Sequence, residues 1–596
     1  MCYTYSIVEY LILPSASGGR FAYNYIWSKE SPKMSAEISS LQKVRLQYEP
    51  KLPKALRTGN IAVALGDPTQ PASDQEEIKK RFPHTYGQPV ASIVEGDGVP
   101  LSTAPLRVGV VLSGGQAPGG HNVIAGLFDA LKAANPESRL FGFLKGPGGC
   151  IKGRYHELTD HIIDRYRNTG GFDMIMSGRD KIEKPEDLAA CERNFAEMGL
   201  DGVVIIGGDD SNTNAAVLAE YLVSRGSKTR VIGVPKTIDG DMKNELIEAS
   251  FGFDTASKTY SELIGNICRD ATSAVKYWHF IRLMGRAASH VALECALQTH
   301  PNITLISEEF QAKGTTLQEI VDYIADVIIK RAEAGKNYGI LVVPEGLPEF
   351  ISDIKVMIDE LSAILGKDEQ YIRDLPDHGE RAQYLNTQLS DHSARVYGSL
   401  PQDIQEVLLK RDSHGNVPLS QVETERLLID LVSDKIRLLI SKGEVNVKFS
   451  PLAHFFGYEG RCAMPSNFDA DYCYSLGYTA AQLIRAELTG YTVYIQNLTK
   501  PSDEWVAGGA PVTMMLCLEM RKGRTVPVIK KALVDLDGEP FKEYAANRED
   551  WALNDKYIFP GPIQYFGPSE VSDAPTITLA LEKGATVDIE SPLVPA

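Results

Sequence analysis

The stretch Pro235-Lys-Thr-Ile-Asp-Gly-Asp241 offers a cation, a hydroxyl and two carboxylates at the end of a β-rich run. A carboxylate there could take the proton of an attacking hydroxyl, while Lys236 neutralises charge on a departing phosphate. The plainer alternative is a polar turn held by its own Asp side chains. Upstream, Gly207-Gly-Asp-Asp-Ser-Asn212 sets two adjacent carboxylates beside two glycines. A carboxylate next to a phosphate site is unfavourable unless a cation intervenes, so one Asp is best explained as a Mg2+ ligand, directly or through water. Otherwise Asp209, Asp210 and Ser211 simply cap a helix over 212–225.

Three further stretches suit anion binding. In Ser113-Gly-Gly-Gln-Ala-Pro-Gly-Gly120, glycines let the backbone approach an anion just where a helix start would offer free N–H donors. The same string also serves as a tight βα turn with no ligand. Met284-Gly-Arg286 and Gly457-Tyr-Glu-Gly-Arg461 each place an Arg on a glycine-broken backbone, which suits a phosphate or a sugar phosphate. Either Arg alone is as well explained by a surface salt bridge.

These loops need a scaffold, and from residue 106 onward short β-rich runs alternate with helical periodicity. That is the pattern of a parallel sheet covered on both faces. Strands are predicted over 106–112, 202–206, 229–235, 279–283, 303–307 and 338–343. A helix is predicted over 121–134, and another where Leu188, Cys191, Phe195 and Met198 recur at spacings of three and four. In open α/β sheets ligands lie beyond the carboxyl ends of strands, which is where every one of these loops falls. Between about 350 and 445 the pattern turns to polar helices with no strand, an insertion between parts of the α/β core. Residues 1–100 carry no chemical motif and are expected to wrap the core or an interface.

At 596 residues the chain exceeds one ordinary domain. A net charge of −17 excludes a broad grip on nucleic acid, so an anionic substrate must be met by a local cluster of cations and backbone N–H groups. No apolar run is long enough to span a membrane. Eight scattered cysteines without a C-x-x-C pair fit a reducing cytosol. The first residues make a poor secretory signal, and the methionine at 34 opens an ordinary amphipathic stretch; residues 1–33 are thus a leader or an over-extended start, with the true N-terminus at Met1 or Met34.

In order, G-G-x-A-P-G, G-G-D-D-S, P-K-T-I-D-G-D, M-G-R, P-E-G and G-Y-E-G-R resemble the phosphofructokinase family, specifically its long pyrophosphate-dependent branch and the catalytic, beta-type chains within it. The resemblance covers about residue 100 to beyond 510 and implies two Rossmann-like three-layer lobes with parallel-rich sheets. On that basis residues 101–275 form the donor and Mg2+ lobe, 276–349 the sugar-phosphate lobe, 350–445 the helical insertion and 446–596 a return to the core.

The resemblance further implies that Gly114 and Gly115 bind the donor phosphate and that Asp209 binds Mg2+. It makes Asp239 the general base toward the sugar 1-hydroxyl, with Lys236 and Asp210 beside it. Thr237, Ile238, Met284, Gly285, Arg286, Glu345, Tyr458, Glu459, Gly460 and Arg461 would hold fructose 6-phosphate or fructose 1,6-bisphosphate. Lys276 and Tyr277 match positions lent to a neighbouring subunit's site, so a homo-oligomer of at least two chains, or a hetero-oligomer with a regulatory paralogue, is expected.

Two positions speak to the donor. ATP-dependent members typically have glycine after the metal-binding aspartate and a small residue before T-I-D, where this chain has Asp210 and Lys236. Asp210 puts volume and charge where an α-phosphate would lie, and Lys236 supplies a cation for the phosphate leaving pyrophosphate. One departure is Gln116, where many ATP-using relatives have Asp. The alternatives are an ATP-dependent phosphofructokinase, a lipid or NAD kinase sharing the G-G-D signature, and a non-catalytic regulatory subunit. The kinases lack the M-G-R and G-Y-E-G-R elements, and a regulatory chain is expected to have lost Asp209 or Asp239.

Overall fold

The computed structural model describes residues 45–410, 417, 421–521, 524–562, 573 and 575–585. The expectations for residues 1–33 and for the start at Met1 or Met34 fall outside the described residues. Two sheets organise the chain. The larger runs from edge to edge as β1 (Ile61–Pro68), β2 (Pro89–Glu95), β14 (Val506–Pro511), β13 (Tyr491–Gln496), β8 (Arg230–Pro235), β7 (Gly202–Gly207), β3 (Arg107–Ser113), β4 (Arg139–Phe143) and β5 (Tyr155–Leu158), with β6 (Ser177–Gly178) on β3. Its centre, β13-β8-β7-β3-β4, is parallel, and the flanking pairs are antiparallel.

The smaller sheet, β10 (Ile303–Thr304), β11 (Gly339–Pro344), β9 (Trp278–Leu283) and β12 (Pro451–Phe456), is wholly parallel. A two-stranded ribbon, β15 (Leu516–Arg521) with β16 (Arg524–Ile529), stands apart. Segments after residue 445 thus return to both sheets, β12 to the small one and β13 and β14 to the large one.

Continuous apolar strands follow from burial on both faces. On β7, Val204 and Ile206 pack with the helices Gly120–Ala134 and Asn467–Arg485. Val203 and Ile205 face Pro185–Met198 and Asp209–Ser224 on the other side. Leu188, Cys191, Phe195 and Met198 are all buried there, as their spacing predicts. The first two helices cross closely: a Cβ on Gly126 would lie 2.1 Å from the Tyr474 carbonyl oxygen, and one on Gly477 1.9 Å from that of Val123. Only glycine fits at that crossing, which fixes the helix whose N-terminus follows the glycine loop.

The small sheet repeats the scheme. Ile281 and Val342 join the main core, while Phe280 and Val343 join a second core with the helices Leu317–Glu333 and Thr424–Ser441. Residues 350–445 hold the helices Ser352–Asp374, His378–Gln388, Asp391–Ser399, Gln402–Leu408 and Thr424–Ser441, with no strand among the described residues.

The α/β architecture with two parallel-rich sheets and a helical stretch agrees with the sequence expectation; three details differ. The strand predicted over 303–307 is only Ile303–Thr304, because Ser307-Glu-Glu opens the helix Ser307–Lys313, where carboxylates favour the positive N-terminal end. The helix predicted over 212–225 begins three residues earlier, with Gly208 as N-cap and Asp209 and Asp210 in its first turn rather than capping it. Tyr458–Arg461 is a helical turn instead of an open loop.

Candidate active site

The carboxyl ends of β3, β7 and β8 from the large sheet meet those of β9, β11 and β12 from the small one. The glycine loop leaves β3 at Gly114, whose N–H donates to the Gly178 carbonyl at 2.9 Å and whose φ is +85°. Two cations lie against this loop. A Cβ on Gly114 would sit 3.3 Å from Lys236 Nζ, and one on Gly115 only 2.8 Å from Arg461 Nη1. Glycine here leaves room for guanidinium, ammonium and backbone to share one anion. Arg461 Nε is buried and makes no hydrogen bond among the described residues, which suits it to an incoming anionic oxygen.

The first turn of Asp209–Ser224 is tied to the glycine loop. Ser211 and Ser113 share a hydrogen bond of 2.8 Å between their hydroxyls, and the Asn212 amide donates to the Gly207 carbonyl at 2.6 Å. Asp210 pairs with Lys181 at 3.4 Å. From β8 the chain continues through Lys236, whose N–H donates to the Gly207 carbonyl at 3.0 Å, so the β7 and β8 ends are locked together.

Lys236 is only 6% exposed. Burial, with the Arg461 guanidinium alongside, pulls its ammonium down to about 8, although Asp239, Asp209 and Asp241 oppose the shift. Burial, together with Asp239, pushes the Asp241 carboxyl up to about 6. Lys531, from the segment after β16, reaches within 3.7 Å of Asp209 and 3.9 Å of Asp241. Burial works against its charge, yet Asp209, Asp241 and Asp239 hold it above the ordinary lysine value.

Asp239 joins the two halves of the cleft. Its own N–H donates to Thr237 Oγ1 at 3.0 Å, and its carboxylate accepts the Arg286 N–H at 3.3 Å. The Met284-Gly-Arg turn is held from two sides, since the Met284 N–H donates to the Phe456 carbonyl at 2.9 Å and Gly285 N–H to the Glu345 carboxylate at 3.2 Å. Burial raises Glu345, with Arg282 and Arg286 pulling the other way. The Tyr458–Arg461 turn is braced by Tyr260, whose hydroxyl donates to the Gly457 carbonyl at 2.5 Å. Glu459 accepts the Gly457 N–H at 2.7 Å. Gly460 packs on the Tyr260 ring, and Tyr458 is 64% exposed.

The structure thus brings Gly114, Gly115, Asp209, Asp210, Lys236, Thr237, Asp239, Met284, Gly285, Arg286, Glu345 and Arg461 around one cleft. Ile238 is fully buried, so only its backbone can face a ligand. Lys276 and Tyr277 precede β9, while Met284 follows it; six residues of strand separate them by about 20 Å. They cannot join the cleft of their own chain. Sequence reasoning gave no role to Lys531 or Lys181, and offered Asp241 only as one of two carboxylates that could act as base. The paired lysines at 530 and 531 after a β-rich run were a signal, but nothing local ties them to a motif some 290 residues upstream.

An anion cradle flanked by cations, tandem carboxylates and a further carboxylate across the cleft define a phosphoryl-transfer site. Residues 107–389 match the family model described as phosphofructokinase. The pyrophosphate--fructose 6-phosphate 1-phosphotransferase of Porphyromonas gingivalis is 54% identical over 546 residues, covering 91% of this chain and 99% of its own. That of Treponema pallidum (strain Nichols) is 51% identical, covering 92% and 98%. The beta subunit from Solanum tuberosum is 50% identical, covering 93% and 95%. The chain belongs to the phosphofructokinase family, in the group of the pyrophosphate--fructose 6-phosphate 1-phosphotransferases.

Proposed function

We propose that this chain transfers a phosphoryl group, reversibly, between inorganic pyrophosphate and the 1-hydroxyl of fructose 6-phosphate, giving fructose 1,6-bisphosphate and phosphate. The observation that carries it is the juxtaposition along one strand end of Lys236, against the glycine loop, and Asp239, against the Arg286 N–H. A donor anion on Gly114, Gly115 and the helix start at Gly120 would lie on one side, and a sugar phosphate on the Met284-Gly285-Arg286 turn, Glu345 and residues 458–460 on the other, with Arg461 between the two.

Asp239 takes the proton of the 1-hydroxyl, and the freed oxygen attacks phosphorus in line. The bridging P–O bond breaks, and phosphate leaves toward Lys236, whose ammonium balances its charge. Held in this geometry, the two reactants need no covalent phosphoenzyme.

Asp209 and its neighbour Asp241 present hard oxygen donors around a position already attractive to a cation, as Lys531 shows, so the donor set fits Mg2+. Bound there, Mg2+ would supply neutralisation of charge on the donor's oxygens.

Asp210 sets the donor. Its carboxylate, paired with Lys181, adds negative charge beside the glycine loop where a nucleotide's further phosphate would extend. Lys276 and Tyr277, which lie far from their own cleft, serve the site of a second subunit, so the working enzyme is an oligomer, as a homo-oligomer or with a regulatory paralogue. A coupled assay with fructose 6-phosphate and Mg2+ tests the donor, comparing pyrophosphate with ATP in the parent and in an Asp210→Gly, Lys236→Gly double variant. Activity with pyrophosphate alone in the parent supports the proposal; activity with ATP alone overturns it while leaving the sugar side standing.

A further inference from the structure

Lys531 belongs to none of the motifs, yet its ammonium lies between the carboxylates of Asp209 and Asp241. The backbone on both sides of it is pinned. The Lys530 N–H donates to the Met515 carbonyl at 3.1 Å, and the Ala532 N–H donates to the carbonyl of Asp241 itself at 2.8 Å. His290 Nε2 donates to the Ala532 carbonyl at 3.0 Å, and the Val534 N–H donates to Glu308 at 3.1 Å. The stem is therefore delivered to the cleft whatever the side chain does.

The ammonium itself is held differently. At 3.7 Å from Asp209 and 3.9 Å from Asp241 it is inside Coulombic range of both but beyond hydrogen-bond distance of either. Its side chain is 40% exposed, against 6% for the whole Lys236 residue. A cation bracketed by carboxylates, closing a short bond with neither, and carried on a flexible four-carbon stem is one that a divalent ion can displace.

We propose that Lys531 is a further donor-side cation of the transfer site: it fills the place between Asp209 and Asp241 in the free protein, and passes to the donor phosphate when a divalent metal takes that place. This rests on the phosphoryl-transfer proposal and adds a residue from the C-terminal part of the chain to it. The exchange keeps the cleft's charge balanced at each stage, because the metal arrives on the carboxylates as the ammonium moves to the incoming anion.

The test uses the full chain without pyrophosphate, with Mn2+ as the probe and free Mn2+ read by electron paramagnetic resonance. Removing a competing charge at this distance from a half-buried site tightens metal binding by at least about five- to tenfold, so Lys531→Met is expected to bind Mn2+ that much more tightly. Its kcat/KM for pyrophosphate falls by about one to two orders of magnitude, as for loss of one donor to a developing anion. Lys531→Arg keeps the parent's Mn2+ affinity. Should Lys531→Met fold poorly, Lys531→Gln gives the same reading.

Unchanged or weaker Mn2+ binding in the neutral variants overturns the proposal. Asp209→Asn separates it from the metal assignment. If that variant binds Mn2+ like the parent while Lys531→Met still binds more tightly, Lys531 stands and the metal belongs to Asp241. If Asp209→Asn weakens binding and Lys531→Met does not tighten it, Lys531 falls alone.

Discussion

Removing the Glu425 carboxylate is expected to loosen a sugar-side loop that Glu425 never touches. Arg282 lies on β9, two residues before Met284, and its Nε is 2.6 Å from Glu425 Oε2 at the start of the helix Thr424–Ser441. The two side chains are 8% and 3% exposed, and the Arg282 guanidinium also lies 4.1 Å from the Phe455 ring centroid. The contact is charge against charge, without the alignment of a hydrogen bond. Taking away one partner of a buried ion pair strands the other, which costs about 3–5 kcal/mol, a large fraction of the roughly 5–15 kcal/mol that holds a domain folded. In Glu425→Leu, Arg282 is left to act on Glu345, whose carboxylate it already stabilises and which presently accepts the Gly285 N–H. Calorimetry is expected to show a lower Tm, and initial rates a KM for fructose 6-phosphate raised about tenfold, with the KM for pyrophosphate within about twofold of the parent. Because an ion pair exchanged whole for apolar side chains is often neutral, the Arg282→Met, Glu425→Leu double variant recovers most of the lost stability. Additive losses in the double variant, or an unchanged sugar KM in the single one, would refute this coupling between the insertion and the loop.

Asp239→Ala is expected to lower kcat by about 10²–10⁴ while fructose 6-phosphate still binds within about threefold of the parent by calorimetry; equal turnover removes Asp239 as the base. Gly115→Ala places a methyl 2.8 Å from Arg461 Nη1, and since the far end of that side chain can give way, Tm stays near the parent while the donor KM rises about tenfold. Lys236 acts as a cation and its pKa is depressed, so kcat/KM for pyrophosphate loses an ionisation as pH rises through about 8. Lys236→Arg moves that limb above pH ~10, and an unmoved limb assigns it to another group. For stability the sign is separate: Asp241, with its folded value raised to about 6, favours folding fully below the unfolded value near 4, and this is lost as pH rises through about 6.

The sheets were legible because strands buried on both faces write continuous apolar runs, as Val203 to Ile206 do, and because each motif sits where such a run stops. The exact start of Asp209–Ser224 was not, since acidic residues suit both a cap and a first turn, and the choice is made by Gly207 letting Ser211 close on Ser113. Arg461 was legible as a phosphate-binding residue but not as a neighbour of Gly115, because that contact joins β3 to the turn after β12 across nearly 350 residues. The paired lysines at 530 and 531 could be noticed, but the proximity of Lys531 to Asp209, like that of Glu425 to Arg282, is tertiary, and no spacing within their own segments encodes it.

The charges of the cleft explain why a short, highly charged donor suits it. Lys236 and Arg461 are held together against the glycine loop, and their mutual repulsion, added to burial, is what depresses Lys236. A few residues away the carboxylates of Asp239 and Asp241 are held together, and burial with their repulsion is what raises Asp241. The carboxylates are offset only in part by Lys531, and neither cluster can relax, because Lys236, Asp239 and Asp241 are fixed on one loop by the Lys236 N–H bond to Gly207, the Arg286 N–H and the Ala532 N–H. On the proposed assignments, an anion on Lys236 and Arg461 and a divalent ion on Asp209 and Asp241 would relieve both at once, so the two ligands are expected to bind cooperatively, with a coupling that must be reciprocal. On the same assignments, pyrophosphate would concentrate its charge on two phosphates within reach of both clusters, whereas a nucleotide would spread it toward Asp210. Measured without turnover, Mn2+ is therefore expected to tighten pyrophosphate binding by the same factor that pyrophosphate tightens Mn2+ binding, and Lys236→Met is expected to shrink both factors together; independent binding in the parent would show that the two clusters do not share a ligand.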